Sequence, residues 1–293
     1  MPLPPDLEER LICPLCRSRL KIQVSGGYGC LNGHSFSLIG EVPLLRQDAT
    51  PATVAPQGEL DHVDITGILG ATGFKRLLRN IIGTNYVPHP FPIEKHIGED
   101  SLVLNLGAGM TGRRFKRVVN LDYFLFPTVD IVADAAAIPF ANESFDMVIC
   151  EFMIEHVPDP YIVCQEMARV LKPGGSLYIS YPFIHPYHSF PSDYYRFTHM
   201  GIERMLSGLQ PLSKGPLTGL ASRWIGTTAD LLTFWVRPVK MRFALRAIIL
   251  ALLFPVKYID YYWNRDDAAI QHAVTLYGFF RKPLPEESGV EQN

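Results

Sequence analysis

The sequence predicts an α/β protein: a doubly wound, mostly parallel sheet with a small amino-terminal module ahead of it. Three observations carry this. Between about residues 100 and 200, short Val/Ile/Leu runs alternate with helical or turn segments, the pattern of βαβ units. A glycine-rich turn, "GAGMTG", directly follows the first of those runs. Three of the five cysteines fall within residues 10–46, among glycines and short β-like runs.

In chain order, residues 1–47 read as the small module. "CPLC" supplies Cys13 and Cys16, and Cys30 and His34 follow as Cys-x-x-x-His. Two such pairs around one ion give three thiolates and one imidazole, the donor set of a closed tetrahedral Zn2+ site, so the metal is expected to be structural. Free buried cysteines beside a surface histidine are the alternative. Cys150 and Cys164 sit on apolar elements and read as core. Residues 48–63, poor in large apolar side chains and rich in Pro, Ala and Thr, read as a linker, and 64–293 as the second domain. There "SLVLNL", "VVNLD", "VDIVA", "FDMVIC" and "SLYISY" are the strands. One helix is well punctuated: Asp159 caps it, Pro160 fits its first turn, Val163, Met167, Val170 and Leu171 form its apolar stripe, and "KPGG" ends it. A helical, partly amphipathic insert at about 205–265 precedes "AVTLYGFFRKP", which alternates like a late strand.

Composition narrows the function. The 27 Lys and Arg nearly balance 29 Asp and Glu, a net charge of −2, so no chain-wide basic field exists to coat nucleic acid. Few cysteines and a start without a signal-peptide pattern make a reducing cytoplasm the expectation. The longest uncharged apolar run, 247–256, is about half of the roughly 20 residues a bilayer span needs. From 237 to 257 there are five basic and no acidic residues, interleaved with Phe243, Leu245 and "AIILALLF" and followed by "YIDYYW". That is how a helix lying in a membrane surface reads, so peripheral membrane contact through 237–263 is expected; a core or subunit-interface helix is the alternative.

Gly107, Gly109 and Gly112 follow the first strand, where lack of Cβ lets the backbone turn tightly and approach a ligand. Asp122 ends the second strand, where its carboxylate can accept hydrogen bonds from both hydroxyls of a ribose. Asp134 ends the third, beside an adenine pocket; either aspartate could instead cap a turn. A nicotinamide dehydrogenase places its acid about 20 residues after the glycines, and Asp122 comes much sooner.

"VLNLGAG", "NLD", "VADAAAIPFANESFDMVICEFMIEHVPDP" and "EMARVLKPGGSLYISYP" occur in the order of the motifs of class I S-adenosylmethionine-dependent methyltransferases, and residues 100–200 resemble their type 11 group. The resemblance implies a seven-stranded sheet with a final antiparallel strand, Gly107, Ala108 and Gly109 under the methionine part of the cofactor, Asp122 with Tyr123 at the ribose, Asp134 with Ala135 at the adenine, and Glu151 and Phe152 lining the site. Asn105 replaces the family's acid, so a contact to the cofactor ammonium there loses charge-assisted strength. "RRFKRVVN" after Gly112 leaves room for little or no first crossover helix. The segment "CPLCRSRL…GYGCLNGHSFSLIGEVPLLR" resembles the zinc ribbon of bacterial ribosomal-RNA guanine-N1 methyltransferases and, more distantly, Trm112-like zinc proteins.

After the fifth strand, "YPFIHPYHSFPSDYYRFTHMGIERML" opens where an acceptor would enter, and its Pro-Phe…His…Asp-Tyr-x-Arg pattern resembles methyltransferases of bacterial surface-glycan functions. His185 or His188 can take a proton from a hydroxyl acceptor, with Asp193 as orienting carboxylate. Packing histidines and a simple Asp193–Arg196 ion pair are the alternatives. His156, in "IEHVPDP", reads as site-lining or structural. The expected function is methyl transfer to a small-molecule or lipid- or glycan-linked acceptor. RNA methylation through the ribbon is the first alternative, and a non-catalytic cofactor-binding scaffold, prompted by Asn105 and the short crossover, is the second.

Overall fold

Each of the five apolar runs forms a strand, and their near-continuous burial is that of parallel strands covered on both faces. The computed structural model describes residues 5–24, 26–46, 80–84, 86–110, 112–188 and 192–286; the expected linker at 48–63 and the start of the second domain to residue 79 lie outside them. The strands are β1 (Leu20–Ile22), β2 (Tyr28–Cys30), β3 (Ser35–Phe36), β4 (Leu38–Ile39), β5 (Val42–Leu45), β6 (Val103–Leu106), β7 (Val118–Asp122), β8 (Ile131–Ala133), β9 (Phe145–Glu151), β10 (Leu171–Pro182), β11 (Gln210–Thr218) and β12 (Thr275–Arg281).

A small antiparallel sheet holds β1-β2-β3, and a larger one runs β11-β12-β10-β9-β6-β7-β8-β5-β4. From β5 to β10 every neighbouring pair is parallel. β12 is antiparallel to both β10 and β11, as a closing strand should be. Strand order reverses between β6 and β9, so the carboxyl ends of β6, β7 and β8 open on the crevice where α/β sheets bind ligands.

Three features refine the expectations. The seven strands expected of the sheet are extended by two, because β5 of the amino-terminal module pairs with β8 through Leu44↔Val132 and Leu45↔Ala133. Among the described residues no helix lies between β6 and β7, as the short "RRFKRVVN" stretch implied. Within 205–265, residues 210–218 form the edge strand β11 before the helices Leu220–Thr233 and Val239–Leu253.

The Pro160–Val170 helix is capped as its sequence demands: the Asp159 carboxylate accepts from Tyr161 N and Ile162 N. Val163, Met167, Val170 and Leu171 are fully buried beneath it. Glu166, on the same helix, is buried and accepts hydrogen bonds from Arg169 at 2.8 Å, from Ile138 N at 2.9 Å and from Arg17 of the amino-terminal module at 2.9 Å. Leu7, Leu11 and Phe36 share one core with Phe140 and Met167. The amino-terminal module is thus welded to the main sheet by a strand pair, a core and a buried ion cluster.

Burial alone would raise the Glu166 carboxyl, but Arg169 and Arg17 overcome it and hold the group below its ordinary range. A depressed carboxylate contributes stability above its unfolded pKa and loses it as pH falls through the folded one. Glu166→Gln should therefore lower unfolding stability in urea by about 2–4 kcal/mol at pH 7. The gap to wild type should shrink at pH values below the ordinary carboxylate range.

Candidate cofactor and acceptor site

The turn after β6 requires left-handed backbone, with φ of +69° at Gly107 and +56° at Gly109. A Cβ on Gly107 would come within 2.6 Å of the Met153 side chain, so only glycine fits this approach. Gly107 N and Ala108 N donate to Leu121 O at 2.9 and 3.2 Å, and Gly109 N donates to Asp122 Oδ2 at 2.8 Å. Asp122 Oδ1 accepts from Phe124 N at 2.9 Å. Asp122 is only 8% exposed. Burial raises its pKa against these backbone N–H bonds, which pull the other way.

A cavity of about 490 Å³ opens over this edge, a volume suited to a cofactor-sized ligand. Gly107, Gly109, Asp122, Tyr123, Asp134, Ala135 and Phe152 line it, together with Met153, His156, Ser192 and Tyr194. Asp134 caps a turn by accepting from Ala136 N at 2.8 Å and still faces the cavity, so both readings of it hold. A second cavity of about 280 Å³ shares Gly107 and Phe152 with the first and adds Asn105, Ala108, Gly112, Arg113 and Glu151. There Asn105 Nδ2 donates to Asn120 Oδ1 at 2.9 Å, and Arg113 pairs with Glu151. The residues fit S-adenosylmethionine: a Cβ-free cradle, a buried carboxylate with lone pairs left for ribose hydroxyls, and an open volume beside both.

Sequence reading missed Arg113 and Arg46. Arg46, 4% exposed at the end of β5, donates to Tyr123 O at 2.7 Å and lies 4.3 Å over the Tyr123 ring. It reaches Tyr123, which lines the cavity, from the amino-terminal module. The only available hint was a lone arginine closing an apolar run.

In the loop after β10, Asp193 is held by Arg196, with Nη2 to Oδ2 at 2.7 Å, and it accepts from His188 N at 2.8 Å. The Arg196 hydrogen bond keeps its carboxyl well below the usual range. Asp193 fixes the loop and also lies 3.4 Å from His188 Nδ1, so it orients that ring as well as pairing. His188 Nε2 lies 3.8 Å from Glu155 Oε1. His185 turns its Nδ1 toward Pro186 O at 2.9 Å, and burial lowers its pKa. Of the three expected catalytic groups, His188 is the one that meets Glu155.

Cys13 Sγ and Cys30 Sγ lie 3.5 and 3.4 Å from His34 Nδ1, and Cys16 Sγ lies 3.7 Å from Cys30 Sγ. A tetrahedron around Zn2+ has edges of about 3.8 Å between sulfurs and about 3.6 Å from sulfur to nitrogen. The four side chains thus stand at the spacing one zinc ion needs.

Two outcomes check this geometry. Asp122→Asn should weaken S-adenosylhomocysteine binding by roughly 5- to 100-fold in calorimetry, since one acceptor oxygen and the charge are lost. Cys16→Ser should reduce bound zinc, measured by elemental analysis, from about one ion per chain to a small fraction, and lower thermal stability through the shared core.

Residues 100–179 match the family model described as "Methyltransferase domain". Over 122 residues the chain is 33% identical to a demethylmenaquinone methyltransferase of Renibacterium salmoninarum, covering 42% of this chain and 47% of that protein. Over 62 residues it is 42% identical to a ubiquinone biosynthesis O-methyltransferase of Xanthomonas oryzae pv. oryzae, covering 21% and 23%. The chain thus spans less than half the length of either relative. The structure of Haemonchus contortus phosphoethanolamine N-methyltransferase 2 in complex with S-adenosyl-L-methionine aligns with a TM-score of 0.44 at 19% identity, covering 72% of this chain and 57% of that one. Glycine turn, strand-end carboxylate and family match coincide in one segment, residues 100–179, which is similar to the methyltransferase domain.

Proposed function

We propose that this protein transfers a methyl group from S-adenosylmethionine to a small or lipid-linked acceptor. The observation that carries this is the continuity of one cavity from Asp122 and Asp134 to His156, Ser192 and Tyr194. The bound cofactor supplies a methyl carbon on a sulfonium, a good leaving group that needs no redox partner. The chain's own work is to hold ribose and adenine with Asp122, Tyr123, Asp134 and Ala135, to let backbone approach at Gly107, Ala108 and Gly109, and to keep the acceptor in line. Phe152 lines both cavities, while Asn105 and Glu151 brace the second through Asn120 and Arg113. A hydroxyl acceptor would surrender its proton to His188, which Asp193 orients. Cys13, Cys16, Cys30 and His34 hold a structural Zn2+ in this reading.

The lipid-linked acceptor is favoured by the carboxyl-terminal helices. Val239–Leu253 buries only Leu250, and leaves Val239, Met241, Phe243, Ile248 and Leu252 exposed beside exposed Lys240 and Arg242. Of these, Met241, Ile248 and Leu252 share one side of the helix with Lys240 and Arg242 flanking it, an apolar stripe with a basic fringe suited to lying in a bilayer surface. Among the described residues no helix is long and apolar enough to cross a membrane. The two relatives, named for demethylmenaquinone and ubiquinone biosynthesis, agree with an apolar acceptor. The RNA reading is disfavoured: the zinc module meets the cavity region at Tyr123 and Asp134, through Pro14, Leu15 and Arg46, and adds no described residue at the His156, Ser192 and Tyr194 end.

Incubation with methyl-tritiated S-adenosylmethionine should place label in a chloroform–methanol extract or an aqueous metabolite fraction of the source cells, and none in total RNA. Label confined to RNA would reverse the assignment, and absence of turnover with tight cofactor binding would favour the scaffold.

A further inference from the structure

We propose that Glu155, His156 and His188 form a second metal site, separate from the cysteine cluster, that takes a divalent transition-metal cation at the acceptor end of the cavity. Their ligand atoms lie within 4.8 Å of one another. Glu155 Oε1 stands 3.8 Å from His156 Nε2 and 3.8 Å from His188 Nε2.

The hydrogen bonds around the rings fix which nitrogens face inward. His156 Nδ1 pairs with Ser192 O, which can only accept. His188 Nδ1 faces Pro186 O at 3.3 Å and the Asp193 carboxylate at 3.4 Å, again acceptors only. Each Nδ1 must therefore carry a proton, which leaves Nε2 as the nitrogen that faces Glu155 in each ring. A carbonyl or carboxylate on the outer nitrogen is also how proteins orient a ligating histidine. Glu155 is 1% exposed, and its Oε2 has no hydrogen-bond partner in the protein. Two imidazole nitrogens and a buried carboxylate thus converge on one point, and only a cation or a proton between them keeps the arrangement from repelling itself.

Two imidazoles and a carboxylate are the donors that first-row cations such as Fe2+, Co2+ and Zn2+ accept, with coordination positions left over. Ligands at about 2.1 Å from such an ion stand roughly 3.0–3.4 Å apart, so each histidine must close on Glu155 by about half an ångström, and the two histidine nitrogens, within 4.8 Å of each other, must draw together as well. His188, whose side chain is 35% exposed, has the freedom to move. His156 also lines the cofactor cavity, so the remaining positions would be offered to an oxygen of the acceptor, holding it and lowering its pKa so that its proton passes to solvent; with the cation bound, His188 acts as ligand in place of base. That role rests on the methyl-transfer reading; cation binding does not.

The test is equilibrium dialysis of the zinc-loaded protein against Co2+, followed by absorption spectroscopy. The expected result is one Co2+ per chain beyond the zinc, with weak visible bands and no intense near-ultraviolet thiolate band. His188→Ala should weaken this binding at least 10-fold, as should His188→Gln, while exposed His272→Ala leaves it unchanged. No Co2+ beyond the zinc, Co2+ showing the thiolate band, or wild-type affinity in both His188 variants would overturn the proposal. In that case a shared proton alone holds the trio together. Because the wild-type stoichiometry and spectrum need no variant and no methyl acceptor, failure here is separable from failure of the methyl-transfer reading.

Discussion

The hydrogen bond from Gly109 N to the buried Asp122 carboxylate ties the glycine turn to the end of β7. Without it, a left-handed turn with few side chains to pack would have little to hold its shape. With it, the carboxyl ends of β6 and β7 become one surface, and Asp122 is fixed with its remaining lone pairs toward the cavity. Burial penalises the charged carboxylate, and each N–H it accepts offsets part of that cost. Ribose hydroxyls would add further donors at the same place, so the site is poised to gain from a ligand with adjacent hydroxyls.

The same surface depends on the amino-terminal module. β5 completes the sheet beside β8, and Arg46 passes from that strand onto the backbone and ring of Tyr123, directly after Asp122. Glu166 and Arg17 lock the opposite flank of the module to the Pro160–Val170 helix. A zinc ion that orders the cysteine turns would therefore act on cofactor binding through strand pairing and packing, with no direct contact to the cofactor required.

What the sequence made legible was local. Apolar runs, the glycine spacing, the Asp159 cap and the paired Cys and His positions each express their physics within a few residues. β11 was hidden because "QPLSKGPLT" carries two prolines and a glycine, tolerable only at a sheet edge, and its first half is exposed. β5 read as part of a free-standing ribbon because four residues cannot announce which sheet they will join. Arg46, Arg113 and Glu155 were missed for a common reason: they are charges held by tertiary partners, Arg46 and Glu155 buried and Arg113 half-buried, and composition rules place such residues outside. Glu155 is the clearest case, since its environment comes from His188, on a loop far along the chain.

The most direct measurement is a crystal structure of the protein with S-adenosylhomocysteine. Density should place the ribose hydroxyls on Asp122, the adenine between Tyr123 and Asp134–Ala135, and the thioether toward His156. Ligand bound elsewhere, or a saturated crystal with that crevice filled by protein side chains, would contradict the account.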